Sequence, residues 1–77
     1  MKTSQFINEL TALLELTDPL TVDTDLKELS EFDSLSIMSL VAYIHKTFGK
    51  QFNARQLNNI TTVQSLMELI GTESFDA

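Results

Sequence analysis

The residues that stand out for their chemistry are an acid and a serine, Asp33 and Ser34, which precede Leu35 where a polar loop gives way to a periodic apolar stretch. A hydroxyl at the start of a helix lies near unpaired backbone N–H groups and the positive end of the helix dipole, which together stabilise an anion. The pair is consistent with two roles. Either side chain can cap the helix, or Ser34 can carry an anionic group, with Asp33 beside it for a modifying enzyme to recognise.

A self-contained active site is not predicted. The one histidine, His45, lies on the same predicted helix as Ser34, about 16 Å away at a rise of 1.5 Å per residue, whereas a nucleophile and its base need a separation of about 3 Å. The chain has no cysteine and two glycines, so it offers no zinc-ligand spacing and no glycine-rich phosphate loop. Asp23 and Asp25 lack the glycine and glutamate of a calcium loop. We therefore expect no catalytic residue and no metal site.

Composition predicts one small acidic domain over residues 1–77. The net charge is −6, which disfavours nucleic acid because a phosphate backbone requires a basic surface. No stretch reaches the roughly 18 apolar residues of a membrane span, and the N-terminus shows no secretory signal. The absence of cysteine fits a reducing compartment. These features predict a cytoplasmic, soluble chain, expected to be a monomer.

Hydrophobic periodicity predicts an all-α fold, a small bundle of three main helices plus one short helix. The helices are expected over residues 4–16, 34–48, 54–57 and 62–70. A long loop over residues 17–33 joins the first two. The ordered core is expected to span about residues 3–71, and the tail of residues 72–77 is expected to fray.

Polar residues at the start of each predicted element are the expected caps. In chain order these caps are Thr3 or Ser4, Thr24, Asn53 with Gln56, and Thr61 with Gln64. Gly49 and Gly71 are expected to end the second and last helices, since glycine adopts the left-handed conformation easily.

The second helix carries two apolar strips. The core strip comprises Ile37, Leu40, Val41, Ile44 and Phe48. The opposite side comprises Leu35, Met38, Ser39, Ala42 and Lys46. Three of those last five are apolar, which is more than a purely solvated face needs.

These features together resemble the acyl carrier proteins over nearly the full chain. The resemblance is carried by the Asp-Ser-Leu at residues 33–35, by the helix that ends in Phe48-Gly49, and by the closing Thr-Val-x-x-Leu at residues 62–66. It implies that Ser34 is the attachment residue for 4′-phosphopantetheine, which a phosphopantetheinyl transferase moves from coenzyme A, and that Asp33 helps that enzyme to recognise the site. It also implies that the chain holds acyl groups as thioesters and is not itself an enzyme.

The resemblance further implies partners that load or process the cargo, namely an acyl- or aminoacyl-loading ligase and a ketosynthase or acyltransferase. Leu35, Met38, Ser39 and Ala42 are the expected docking residues. Fatty-acid carriers commonly have glycine where this chain has Glu31, and their second helix is acidic, whereas none of residues 34–49 is acidic here. These differences favour a dedicated biosynthetic pathway. A peptidyl or aminoacyl carrier and an unmodified helical interaction module remain the alternatives.

Overall fold

The computed structural model of the chain describes residues 1–76. It contains four α-helices: α1 (Thr3–Leu13), α2 (Ser34–Phe48), α3 (Ala54–Asn58) and α4 (Val63–Ile70). Two short 3₁₀ turns span Leu26–Glu28 and Thr72–Ser74. No strand occurs within residues 1–76, so the predicted small all-α fold is confirmed.

The core is a single apolar cluster to which every α-helix contributes. Its buried members are Phe6, Leu10, Leu14, Leu20, Leu26, Ile37, Leu40, Ile44, Leu57, Ile60, Val63, Leu66, Met67 and Ile70. The predicted core strip of α2 is confirmed, with Val41 and Phe48 half-buried against the same cluster. Because α2 has its apolar strip fixed in this core, the rotation of the helix, and so the direction of its opposite face, is also fixed.

Helix α1 differs from its predicted bounds at both ends. Its N-cap is Lys2, which makes no side-chain capping bond, so the prediction that Thr3 or Ser4 caps it is wrong. It ends three residues early because Glu15 adopts a left-handed conformation with φ of 56°. The Leu16 N–H then donates to the Thr11 carbonyl at 3.0 Å, which closes a Schellman-type end before Pro19 is reached.

The long loop is hydrogen-bonded to the start of α4. The Leu26 N–H donates to the Thr61 carbonyl at 2.7 Å, and the Val63 N–H donates to the Thr24 carbonyl at 3.2 Å. This antiparallel pairing keeps Thr62 extended, so Thr62 becomes the N-cap of α4. The loop therefore has a fixed path into α2.

Two predicted caps in this region are corrected by the pairing. Asp25, not Thr24, caps the 3₁₀ turn by accepting the Lys27 N–H at 3.0 Å. Thr62, not Thr61, caps α4, with Ser65 completing the capping box. Thr24 and Thr61 are unsuited to the role here because their carbonyls accept the hydrogen bonds between the loop and the start of α4.

The segment after Gly71 makes defined contacts, whereas the sequence led us to expect fraying over residues 72–77. The Phe75 ring lies 4.9 Å from the Phe6 ring and 5.4 Å from the Phe48 ring, measured between centroids. The Asp76 N–H donates to the Met1 carbonyl at 2.8 Å. Residues 72–76 thus pack across the beginning of α1, while Ala77 lies outside the described residues.

Among residues 1–76, no helix combines the length and the apolar character needed to cross a membrane.

Replacement of Phe75 by alanine tests this packing. We expect Phe75→Ala to lower the free energy of unfolding by about 1–3 kcal/mol, less than a fully buried phenylalanine would cost, because the ring is half-buried. Urea unfolding measures the change, and Thr72→Ala in the same segment is the exposed control. Equal stability of Phe75→Ala and the wild type would show that the tail frays.

Candidate functional site

The start of α2 is capped by Asp33. Its carboxylate Oδ1 accepts the Ser36 N–H at 3.0 Å, and its carbonyl accepts the Ile37 N–H at 2.9 Å. The sequence allowed either Asp33 or Ser34 to be the cap, and the structure gives the role to Asp33. Ser34 is consequently the first residue of the helix proper.

The Ser34 hydroxyl is exposed and makes no hydrogen bond to any atom of residues 1–76. A helix N-terminus is the position at which free N–H groups and the helix dipole favour a negative charge. Since Asp33 already performs the capping, Ser34 is not needed to hold the helix start. Its oxygen can therefore accept a covalent group without loss of a native hydrogen bond.

Ser36 ties the end of the loop to the first turn of α2. Its Oγ donates to the Glu31 carbonyl at 2.5 Å while its N–H is held by Asp33. Ser34 is therefore presented from a fixed turn. Sequence reasoning did not assign this role to Ser36, although a serine three residues after an N-cap aspartate was the available signal.

The pKa of Asp33 is lowered from its ordinary value of 3.8, chiefly because the carboxylate accepts the Ser36 backbone N–H. The Leu35 N–H acts in the same direction, and partial desolvation opposes both effects. The carboxylate is thus ionised at neutral pH, and Asp33 is exposed to solvent. A basic group or a metal ion on another protein can reach it.

The four residues predicted to dock partners are all exposed: Leu35, Met38, Ser39 and Ala42. Leu35 is 76% exposed and Met38 is 66% exposed, and these two are the large apolar side chains that stand out on the described surface. They continue directly from Ser34 along α2. The prediction that they face solvent is confirmed, and their docking role stays a prediction.

A cleft of about 390 Å³ opens beside Ser34 between α2 and α3. Its lining consists of Ser34, Ile37, Met38, Ala54, Arg55 and Asn58. The predicted capping box at the start of α3 is confirmed. The Asn53 side chain accepts the Gln56 N–H at 2.8 Å, and the Gln56 side chain accepts the Asn53 N–H at 3.0 Å. Sequence reasoning missed Arg55 and Asn58, because only the packing of α3 on α2 brings them to the serine.

His45 is exposed in the last turns of α2 and is absent from the lining of this cleft. Within residues 1–76, no group of three or more histidine, aspartate or glutamate side chains is gathered as a metal site.

Comparison with known proteins adds one match. A family model described as the phosphopantetheine attachment site matches residues 4–70, a span that contains all of α2, α3 and α4. No curated protein and no solved structure matches the chain significantly.

The capping role of Asp33 predicts a pH-dependent difference between the wild type and Asp33→Asn. A lowered carboxylate pKa contributes stability that is present above the unfolded-state pKa and is lost as pH falls through the folded-state pKa. We therefore expect the wild type to have the higher urea midpoint at neutral pH. The difference between the two midpoints should begin to shrink near pH 3.8, the ordinary value of this carboxyl, and should vanish below its lower folded-state pKa.

Asp23→Asn serves as the control, since it removes the same charge from an exposed loop residue. Its effect is subtracted at each pH. A midpoint difference for Asp33→Asn that stays constant from neutral to acid pH would contradict the capping role of the charged carboxylate.

Proposed function

Because the chain belongs to the family of phosphopantetheine attachment domains, whose members carry a covalently attached 4′-phosphopantetheine, we propose that it is an acyl carrier protein with Ser34 as the attachment residue. The observation that carries the proposal is the exposed, unbonded hydroxyl of Ser34 at the start of α2. When bound, the group supplies an arm whose terminal thiol holds acyl cargo as a thioester. The chain presents that cargo to partner enzymes and catalyses no step itself.

The neighbouring serines fit the attachment role less well. The Ser36 hydroxyl is engaged with the Glu31 carbonyl, so modification there would break the contact that holds the loop against α2. Ser39 is exposed, but it lies more than a full turn into the helix, away from the free N–H groups that favour a phosphate. Ser34 combines exposure, a free oxygen and the anion-favouring end of the helix.

The attachment step is a phosphoryl-type transfer in which the Ser34 Oγ is the nucleophile. The oxygen forms a new bond to the phosphorus atom next to pantetheine in coenzyme A. The pyrophosphate P–O bond breaks, and adenosine 3′,5′-bisphosphate leaves. The serine proton passes to a base of the transferase, because this chain has no side-chain base hydrogen-bonded to Ser34 within residues 1–76.

Asp33 is proposed as the residue by which the transferase recognises the site. Its carboxylate is ionised, and the residue is exposed and adjacent to Ser34. One oxygen is occupied by the Ser36 N–H, and the carboxylate keeps further acceptor capacity for a metal ion or a basic side chain of the transferase. Asp33 thus both caps α2 and provides the carboxylate by which the transferase recognises the Ser34 site.

Leu35, Met38, Ser39 and Ala42 form the proposed docking face for partner enzymes. The exposed fractions of Leu35 and Met38 are high for apolar side chains of their size. Removal of such side chains from water at an interface lowers the free energy of the complex. No acid lies between Ser34 and Gly49, so recognition through this face depends more on packing than on charge. Partners of that kind favour a dedicated pathway with its own loading ligase and its own ketosynthase or acyltransferase.

The attachment residue is tested by intact-protein mass spectrometry after incubation with coenzyme A and a broad-specificity phosphopantetheinyl transferase. We expect the wild type and the control Thr47→Ala to gain one phosphopantetheinyl group, and Ser34→Ala to gain none. The control removes an exposed hydroxyl from the same helix.

A wild type that gains no mass, with a carrier of known competence modified in parallel, would refute the proposal. The remaining function would then be that of an unmodified helical interaction module, supported by the exposed Leu35 and Met38 alone.

The docking face is tested on the same transferase, which is itself a partner. We expect Met38→Ala to lower kcat/KM about five- to tenfold, the usual range for an apolar contact at the centre of an interface, and the exposed Gln51→Ala to change it little. Added salt should reduce kcat/KM only weakly, since salt screens charge and not packing. A strong salt effect together with an unchanged Met38→Ala rate would contradict the packing-based docking.

A further inference from the structure

The cleft beside Ser34 has one cationic residue in its lining, Arg55. This residue lies on the short helix α3, whose start is fixed by the Asn53–Gln56 capping box and whose inner side is anchored by the fully buried Leu57. The position of Arg55 relative to the start of α2 is thus set by core packing. The guanidinium itself is exposed and free to turn toward the serine.

Arg55 has no carboxylate partner within residues 1–76, even though acids outnumber bases by eleven to five. The ion pair formed in this part of the chain joins Lys50 and Glu73 at 3.3 Å. An arginine without a partner in so acidic a chain can bind an anion that the chain does not itself supply. The cleft that contains Arg55 also contains the residue proposed to receive a phosphodiester.

We propose that Arg55 binds the phosphodiester attached to Ser34 and thereby seats the arm in the cleft between α2 and α3; the inference rests on the proposed modification of Ser34. A guanidinium presents paired N–H donors that match two phosphate oxygens, which a lysine does not. The positive end of the α2 dipole favours the same phosphate.

The rest of the lining suits the part of the arm that follows the phosphate. Asn58 is three residues after Arg55, so both side chains lie on one face of α3, and its amide can both donate to and accept from an amide of the arm. Ile37 and Met38 offer apolar contact for the branched methyl groups. A volume of about 390 Å³ lies within the range of small-molecule sites, roughly 300–1,000 Å³.

A seat of this kind holds the arm only loosely. An exposed ion pair contributes little free energy, so a partner enzyme can withdraw the arm without a large penalty. Met38 lines the cleft and also belongs to the proposed docking face. A partner that contacts Met38 therefore meets the arm at its point of attachment.

The test uses NMR of the loaded protein. We expect the side-chain Nε–Hε resonance of Arg55 to shift when the wild type is loaded, and we expect high salt to reverse that shift because the ion pair is exposed to screening. We also expect the ³¹P resonance of loaded Arg55→Gln to lie closer than that of the wild type to the value of the urea-unfolded loaded protein. The ratio of seated to free arm should fall about two- to fivefold, the range of one exposed ion pair.

Lys46→Gln is the matched control, because it removes one positive charge from an exposed residue of α2, about 18 Å along the helix from Ser34. Its ³¹P resonance should coincide with that of the wild type. A loaded wild type whose Arg55 resonance does not move would overturn this proposal and leave the carrier function intact. A wild type that cannot be loaded would overturn both.

Discussion

The geometry of the site depends on one hydrogen bond, from the Ser36 N–H to the carboxylate of Asp33. Through this bond Asp33 caps α2, so the next residue, Ser34, is not needed to cap the helix. It also lowers the pKa of the carboxyl, so the charge next to Ser34 persists to a lower pH than that of an ordinary aspartate. The Asp33 side chain therefore serves both the capping of α2 and the proposed recognition by the transferase.

The cap can fix the position of Ser34 only because the loop before it and the helix after it are themselves fixed by other contacts. Upstream, the loop pairs with the start of α4 through Leu26 and Thr61, and its end is bound by the Ser36 hydroxyl. Downstream, α2 is fixed by three residues that are buried in the core. The direction in which Leu35 and Met38 face solvent follows from that burial. A small core without disulfides thus controls the orientation of both Ser34, the proposed attachment residue, and the proposed docking face.

Features set by local sequence were predictable, and features set by distant contacts were not. The start and end of α2 follow from Asp33 and from Gly49, whose φ of 71° requires a residue tolerant of the left-handed region. The early end of α1 depends on a left-handed Glu15, which glutamate adopts only when tertiary packing favours it. The packing of Phe75 and the presence of Arg55 in the same cleft as Ser34 depend on contacts between residues far apart in sequence, which periodicity does not report.

The central claim is that the arm is attached to Ser34 and to no other hydroxyl. Tandem mass spectrometry of the tryptic peptide of residues 28–46 tests it most directly, because cleavage after Lys27 and Lys46 isolates four serines in one fragment: Ser30, Ser34, Ser36 and Ser39. The account predicts that fragment ions of the loaded wild type assign the whole phosphopantetheinyl mass to Ser34. Assignment to any of the other three serines, or an unmodified peptide from protein treated with coenzyme A and transferase, would contradict it.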